Sequence, residues 1–375
     1  MLNNFVARRD FLRATSAIAA GCLLKPAFAQ QSGSKRDVDW LSEIQKPPAK
    51  TPADAAVPLS PLLVTKDGKR IETAEEWKAR REELRQWWLE FLGPMPSPRQ
   101  SPPVPPKLEI IEEDQPEGVV RQLVRYEVEP GITTEAYLLK PAKLEGKSPG
   151  VVALHSTVEH SIRQPAGVEG APEKAFGLRL ARRGVVVFCP RNFLWPVTGK
   201  ISAQEETKKF LERCPRSKGM AKMLYDSLVA VDILAGLSEI DPQRLGAVGH
   251  SLGAKESLYL AAFDERVKVA VSSEGGIGTK FSNWDALWYL GPTIREKSFT
   301  HEHHELLALA APRPFLLVGG ESADGDKGWP FIEAALPVYE MFGKPARLGQ
   351  YNHRKGHAVP PEALARIEEW LMTYL

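Results

Sequence analysis

Gly249-His250-Ser251-Leu252-Gly253 sets a hydroxyl between two glycines, one on each side at a spacing of two. A short apolar run over 244–248 precedes it, and helix formers without a breaker follow over 254–263. G-x-S-x-G between a strand and a helix is the pattern of a nucleophile elbow. The turn is so tight that its serine takes a strained backbone conformation, and the glycines let the chain segments pass without clashing. Ser251 Oγ is then expected at the carboxyl end of a sheet, above a helix N-terminus.

A serine hydroxyl is a poor nucleophile at neutral pH. It needs a base to take its proton and a third group to orient that base. On an elbow of this kind the partners follow in the order serine, acid, histidine. His357, in Asn352-His353-Arg354-Lys355-Gly356-His357-Ala358-Val359-Pro360, follows the last strand and is the expected base. His353 competes, but it stands nearer the strand, and the base must reach across to Ser251. Three carboxylates compete for the third role. Asp324, then Asp326, stand in Gly320-Glu321-Ser322-Ala323-Asp324-Gly325-Asp326-Lys327, the usual position of the acid. Glu274, in Ser272-Ser273-Glu274-Gly275-Gly276, ends the strand after the nucleophile helix. Each could equally be a loop carboxylate capping the next helix. An oxyanion needs two donors. The backbone N–H of Leu252 is one candidate. The loop His155-Ser156-Thr157 supplies the other, with Ser156 at its centre.

The elements that must position these groups follow from periodicity. Strands are expected at 107–113, 119–128 and 132–140. Strands at 149–155, 184–189, 244–248, 267–273, 313–319 and 346–351 then alternate with helices at 171–183, 219–237, 252–263, 302–309, 330–342 and 360–374. Short apolar runs alternating with helices argue for a mostly parallel central sheet with helices on both faces, an α/β class. Ahead of them, 74–92 reads as a helix with acids in its first turn and an aromatic stripe, Trp77, Trp87, Trp88 and Phe91, suited to docking. Proline-rich stretches around 46–50 and 101–106 read as an extended lead-in and a spacer. The organisation expected is a signal over 1–29, an N-terminal extension over 30–106 and a catalytic domain over 107–375.

From about residue 75 onward the chain resembles the α/β-hydrolase superfamily. Within it, the chain is similar to acetylxylan-esterase and dienelactone-hydrolase-like proteins and to glucuronoyl esterases. Asp241-Pro242-Gln243-Arg244-Leu245-Gly246 before the elbow carries the likeness. So do Ala262-Phe263-Asp264-Glu265-Arg266-Val267 and His304-Glu305-Leu306-Leu307-Ala308-Leu309-Ala310-Ala311-Pro312-Arg313-Pro314. The resemblance to glucuronoyl esterases implies sugar-contacting roles for Lys255, four residues after the serine, and for Trp329, and it implies an acid at Glu274. That family carries an arginine directly after the serine, where this chain has Leu252. The insertion holding Trp284 and Trp288 often forms a cap in this fold, so aromatic substrate contacts are expected there. His301-Glu302-His303-His304-Glu305 departs from the H-E-x-x-H zinc pattern, and it is read as a structural helix start, with no metal.

The formal charge of +2 over 375 residues implies no polyanionic partner, and no apolar stretch is long enough to span a membrane. Ala7-Arg8-Arg9-Asp10-Phe11-Leu12-Arg13, the mildly apolar 14–24 and Ala27-Phe28-Ala29 together read as a twin-arginine export signal with a cleavage site. Lipoprotein processing at Cys22 is the lesser alternative. Export places the mature chain in an oxidising compartment, where Cys189 and Cys214 either pair or stay as thiols. The expectation is an exported serine esterase that needs no cofactor and acts on small-molecule or polysaccharide esters, acetyl or glucuronoyl. Its rivals are a dienelactone-hydrolase-like or peptidase-like serine hydrolase and a non-catalytic carbohydrate-binding protein on the same scaffold.

Overall fold

The computed structural model describes residues 37–49 and 58–375. The expected signal at 1–29, with Cys22, lies outside the described residues. Helix α1 (Ala74–Leu92) begins at a capping box, in which the Thr73 hydroxyl accepts from the Glu76 N–H and the Glu76 carboxylate accepts from the Thr73 N–H. This satisfies helix donors that have no partner within the helix. It stops at Gly93, whose φ of 83° suits glycine and whose Cβ, were there one, would lie 2.1 Å from the Arg216 carbonyl oxygen.

Three antiparallel strands follow, β1 (Glu109–Asp114), β2 (Val119–Glu129) and β3 (Ile132–Pro141). The alternating part comprises β4 (Ser148–Leu154), α2 (Phe176–Ala181), β5 (Val186–Pro190), α3 (Ala203–Arg213), α4 (Gly219–Gly236), β6 (Ile240–His250), α5 (Leu252–Phe263) and β7 (Val267–Ser273). It continues with α6 (His304–Ala310), β8 (Phe315–Gly319), α7 (Trp329–Glu340), β9 (Leu348–Asn352) and α8 (Pro361–Tyr374). Among the described residues the strands form one sheet in the order β1-β2-β3-β5-β4-β6-β7-β8-β9, parallel from β5 to β9. A mostly parallel sheet with an antiparallel opening and helices on both faces is an α/β-hydrolase fold.

The strands explain the two-sided core. Along β4, Val151 and Ala153 face one layer and Val152 and Leu154 the other. Both sets are buried, because period-two side chains of a parallel strand are covered by helices on each face. One layer holds α1, α4, α5, α6 and α7; the other holds α2 and α8. No helix of the described residues is long and apolar enough to cross a membrane.

Three expectations need correction. The lead-in is not merely extended: Val38, Leu41 and Ile44 are buried against the α8 face, Trp40 packs on Trp370, and the Gln350 N–H donates to the Ile44 carbonyl. Its few apolar residues fall on one side of a turn, which proline content conceals. Helix 171–183 shortens to α2, because Pro172 opens a separate short turn. Helix α3 was not anticipated. It is mostly charged and buries only Thr207 and Phe210, so its apolar period is faint, although Ser202 caps it by accepting from the Glu205 N–H.

Trp88 is fully buried, its Nε1 donates to Glu305 Oε2 at 2.7 Å, and its ring stacks on His303. Trp88→Ala is expected to lower stability by about 3–5 kcal/mol, measured by urea unfolding, because it opens a cavity and removes one of the donors to a buried carboxylate.

Candidate active site

Ser251 joins β6 to α5 with φ 60° and ψ −115°. That conformation is uncommon for a non-glycine residue and persists only when its surroundings over-determine it. Here they do. The Ser251 N–H donates to the Ser273 carbonyl at 2.8 Å. A Cβ on Gly249 would lie 2.1 Å from the Gly253 carbonyl oxygen, and one on Gly253 would lie 2.4 Å from that of Leu154. Both glycines are therefore sites of backbone crossing, as the motif requires. Leu252 is the first residue of α5, so its N–H has no acceptor within the helix.

The structure brings His357 and Glu274 together, with Nδ1 and Oε2 3.0 Å apart. Glu274 is buried and directly follows β7, with φ 54°. Its Oε2 also accepts the Ala323 N–H at 2.7 Å, and its Oε1 accepts the Gly320 N–H. His357 is exposed on one side, and on another its ring lies 4.7 Å from that of His250. Burial pushes His250 well below the ordinary histidine pKa, with the Lys174 charge adding to it, so it forms a neutral wall. Lys174 Nζ donates to the His357 carbonyl at 3.4 Å, a contact no sequence spacing signals.

The other two acids are elsewhere. Asp324, first in the sequence ranking, does not meet His357. Its two carboxylate oxygens accept the N–H groups of Gly276 and Ile277, each at 2.7 Å. Burial, with the Glu274 charge adding to it, raises its pKa to about 6 against the pull of those two donors. Asp326 pairs with the Arg354 guanidinium and Asn352 at the surface. His353 points under the loop, where its Nδ1 accepts the Lys355 N–H.

Ser156 is also corrected as an oxyanion donor. Its N–H donates to Gln164 Oε1 at 3.0 Å, both groups buried, so that hydrogen is already taken. Gln164 was missed because it is eight residues away in a segment with no regular period. Lys255 is 4% exposed and sits over the Trp284 ring at 3.9 Å, donating to Ser282 Oγ at 2.7 Å. Burial lowers its pKa to about 7. Trp284 is core rather than cap surface, with its Nε1 donating to the Gly276 carbonyl at 2.7 Å. Trp329 opens α7, is also buried, and borders a small cavity with Ile44, Gln350 and Tyr351. The histidine cluster is dispersed: His303 bridges the Tyr259 hydroxyl and the Ile277 carbonyl, His304 reaches the Ser60 carbonyl, and His301 meets Glu305. Cys189 and Cys214 are both free thiols.

A half-buried serine on a strained turn stands at the carboxyl end of the sheet, where an imidazole and a buried carboxylate also meet, the residue types of nucleophilic acyl transfer. The model of the dienelactone hydrolase family matches residues 134–287. YtaP of Bacillus subtilis (strain 168), named a hydrolase, is 30% identical over 312 residues, covering 78% of this chain and all of YtaP. The chain belongs to the dienelactone hydrolase family. This hydrolase also matches a carbohydrate esterase, MZ0003, from an unknown prokaryotic organism, at 28% identity over 134 residues, which is 30% of this chain and 31% of that one. Its fold is that of a glucuronoyl esterase from Solibacter usitatus, with a TM-score of 0.65 at 17% identity over 87% of this chain and 99% of the other.

The buried lysine makes a signed prediction. In the unfolded chain Lys255 holds its proton up to its ordinary value of 10.5, and in the fold only up to about 7. Below about 7 both states are charged and the full cost of burying a cation weighs on the fold. Between about 7 and 10.5 the unfolded state binds more protons, so this cost fades as pH rises. Lys255→Met is expected to be more stable than wild type at pH 6, with the advantage shrinking by pH 9, as urea midpoints at the two pH values will read.

Proposed function

We propose that this hydrolase is an exported serine esterase acting on carbohydrate esters, acetyl or glucuronoyl, through an acyl-enzyme. The observation that carries the reading is the 3.0 Å contact between Glu274 Oε2 and His357 Nδ1, beside a serine held at φ 60°. In the proposed mechanism Ser251 Oγ attacks the ester carbonyl while His357 Nε2 takes its proton. Glu274 accepts a hydrogen bond from His357 Nδ1–H, holds that tautomer and stabilises the imidazolium. The Leu252 N–H, at the positive end of α5, donates to the developing oxyanion. Collapse expels the alcohol, which takes the proton from His357. Water, activated by the same imidazole, then releases the acid.

Carbohydrate is supported by MZ0003, named a carbohydrate esterase. The buried Leu252 side chain supplies no cation to the oxyanion, unlike the arginine of the glucuronoyl pattern, which keeps acetyl esters within the reading. Export rests on the twin-arginine motif and the small-residue cleavage site at 27–29.

The test is hydrolysis of p-nitrophenyl acetate, acetylated xylan and a benzyl glucuronate ester, with fluorophosphonate labelling in parallel. Ser251→Ala is expected to abolish both turnover and labelling. Glu274→Gln should lower kcat by about 10⁴-fold, because the amide favours the wrong imidazole tautomer. Asp326→Asn should stay within about threefold of wild type, since its partners are surface groups. A Glu274→Gln enzyme as active as wild type would overturn the assignment of the acid, and an unlabelled wild-type serine would favour a binding protein on this scaffold.

A further inference from the structure

A second cavity, of about 350 Å³, opens on the same sheet edge as Ser251. Its walls are the β2–β3 hairpin tip, the loop 191–198 that follows β5, α3 and the first turns of α4. Strand order places it. β5, β3 and β2 are two, three and four strands from β6, whose end carries Ser251, so the cavity lies roughly 10–19 Å along that edge. This is the reach of a neighbouring unit of a polymer rather than of the acyl group itself. The volume falls in the range of small-ligand pockets.

Two independent features describe what it would hold. Phe193 is half-buried and presents an aromatic face to it, backed by the buried Trp195 and by Phe210 at 5.7 Å. Its floor is a buried charge cluster that the proposed reaction does not use. Lys222 Nζ lies 2.8 Å from Glu129 Oε1 and pairs with Asp226, while Arg213 donates to Glu129 Oε2 at 2.8 Å. Lys222 and Asp226 line the cavity, and burial raises the Asp226 carboxyl to about pKa 6. Burying such a cluster contributes little to stability, so its retention at a cavity floor points to recognition. Four cations line the cavity, and each is paired with a carboxylate: Arg191 with Glu135, Lys209 with Glu206, Arg213 with Glu129 and Lys222 with Asp226, so the charges around it balance. That suits hydroxyl groups rather than an ionised ligand, and the Phe193 ring suits the apolar face of a pyranose.

The cavity is also tied to the nucleophile helix. Asn192 at its loop donates through Nδ2 to Glu256 Oε1 on α5 at 3.0 Å, and Trp195 packs edge-on against His155, at the end of β4 beside β6. We infer that the cavity between the β2–β3 hairpin, loop 191–198 and α4 is a subsite for a neutral sugar unit of the polysaccharide that carries the scissile ester. The inference rests on the carbohydrate reading above.

The experiment uses unsubstituted xylohexaose, which has no ester to cleave, and the mature wild-type protein. Hydrogen–deuterium exchange with and without it is expected to show protection at 129–134 and 191–198. Titration should show binding weakened about fivefold to tenfold by Phe193→Ala, which removes one aromatic face, and by Thr134→Trp, which fills the cavity. Absence of binding, protection confined to other segments, or wild-type affinity in both variants would each overturn the subsite. If a variant fails to fold, the exchange map of the wild type decides. Turnover of p-nitrophenyl acetate is followed alongside. Its absence in wild type defeats the esterase reading alone, and the xylohexaose result still decides the sugar subsite.

Discussion

Ser251 sits at φ 60° because the chain must reverse from β6 into α5 within one residue, and the sheet leaves no room for a slower turn. Gly249 passes the Gly253 carbonyl, and Gly253 passes the end of β4, at distances no Cβ tolerates. The strain at the serine is thus held by backbone on three sides, and by the bond from its own N–H to the end of β7. A strained residue costs of order 1–3 kcal/mol and survives only under such constraint. The parallel strands provide it: β4, β6 and β7 are hydrogen-bonded neighbours, buried on both faces, and cannot shift in register without turning apolar residues outward.

The loops that follow β7 and β8 are locked together by two carboxylates working in opposite directions. Glu274, on the β7 side, accepts N–H groups of Gly320 and Ala323 from the β8 loop. Asp324, on the β8 side, accepts those of Gly276 and Ile277 from the β7 loop. Each ties down irregular backbone that would otherwise leave buried donors unpaired. Only one of the two turns a remaining lone pair toward His357. The Glu274 charge also contributes to raising Asp324.

Much of this was legible in the chain. The helix at 74–92 has its capping box and its glycine stop in plain sequence, and the elbow carries its glycines at fixed spacing. His357 follows from the order of elements. Which carboxylate meets His357 was not legible, because Glu274 and Asp324 are both loop carboxylates at strand ends, and which one faces the imidazole is decided by bonds between loops 46 or more residues apart. Ser156 failed for the same kind of reason: its N–H is consumed by Gln164, a contact invisible to periodicity. Trp284 and Trp329 read as surface aromatics only because tryptophan serves core and binding site alike. Helix α3 escaped because charge dominates its sequence and only two of its side chains are buried.

The buried polar groups around α5 form a series on the face opposite α8. Lys255 is pressed against the Trp284 ring, and the next residue, Glu256, is raised by burial to about pKa 8 while it accepts from Asn192. At neutral pH Glu256 is therefore a neutral acid, so it adds hydrogen bonding without adding charge beside Ser251. Asn192 also receives nothing from solvent: its N–H donates to His155 Nε2, and its Oδ1 accepts from the Leu194 N–H. A side chain so fully engaged fixes the loop after β5 relative to α5. Any ligand bound by that loop is thereby held at a constant offset from Ser251.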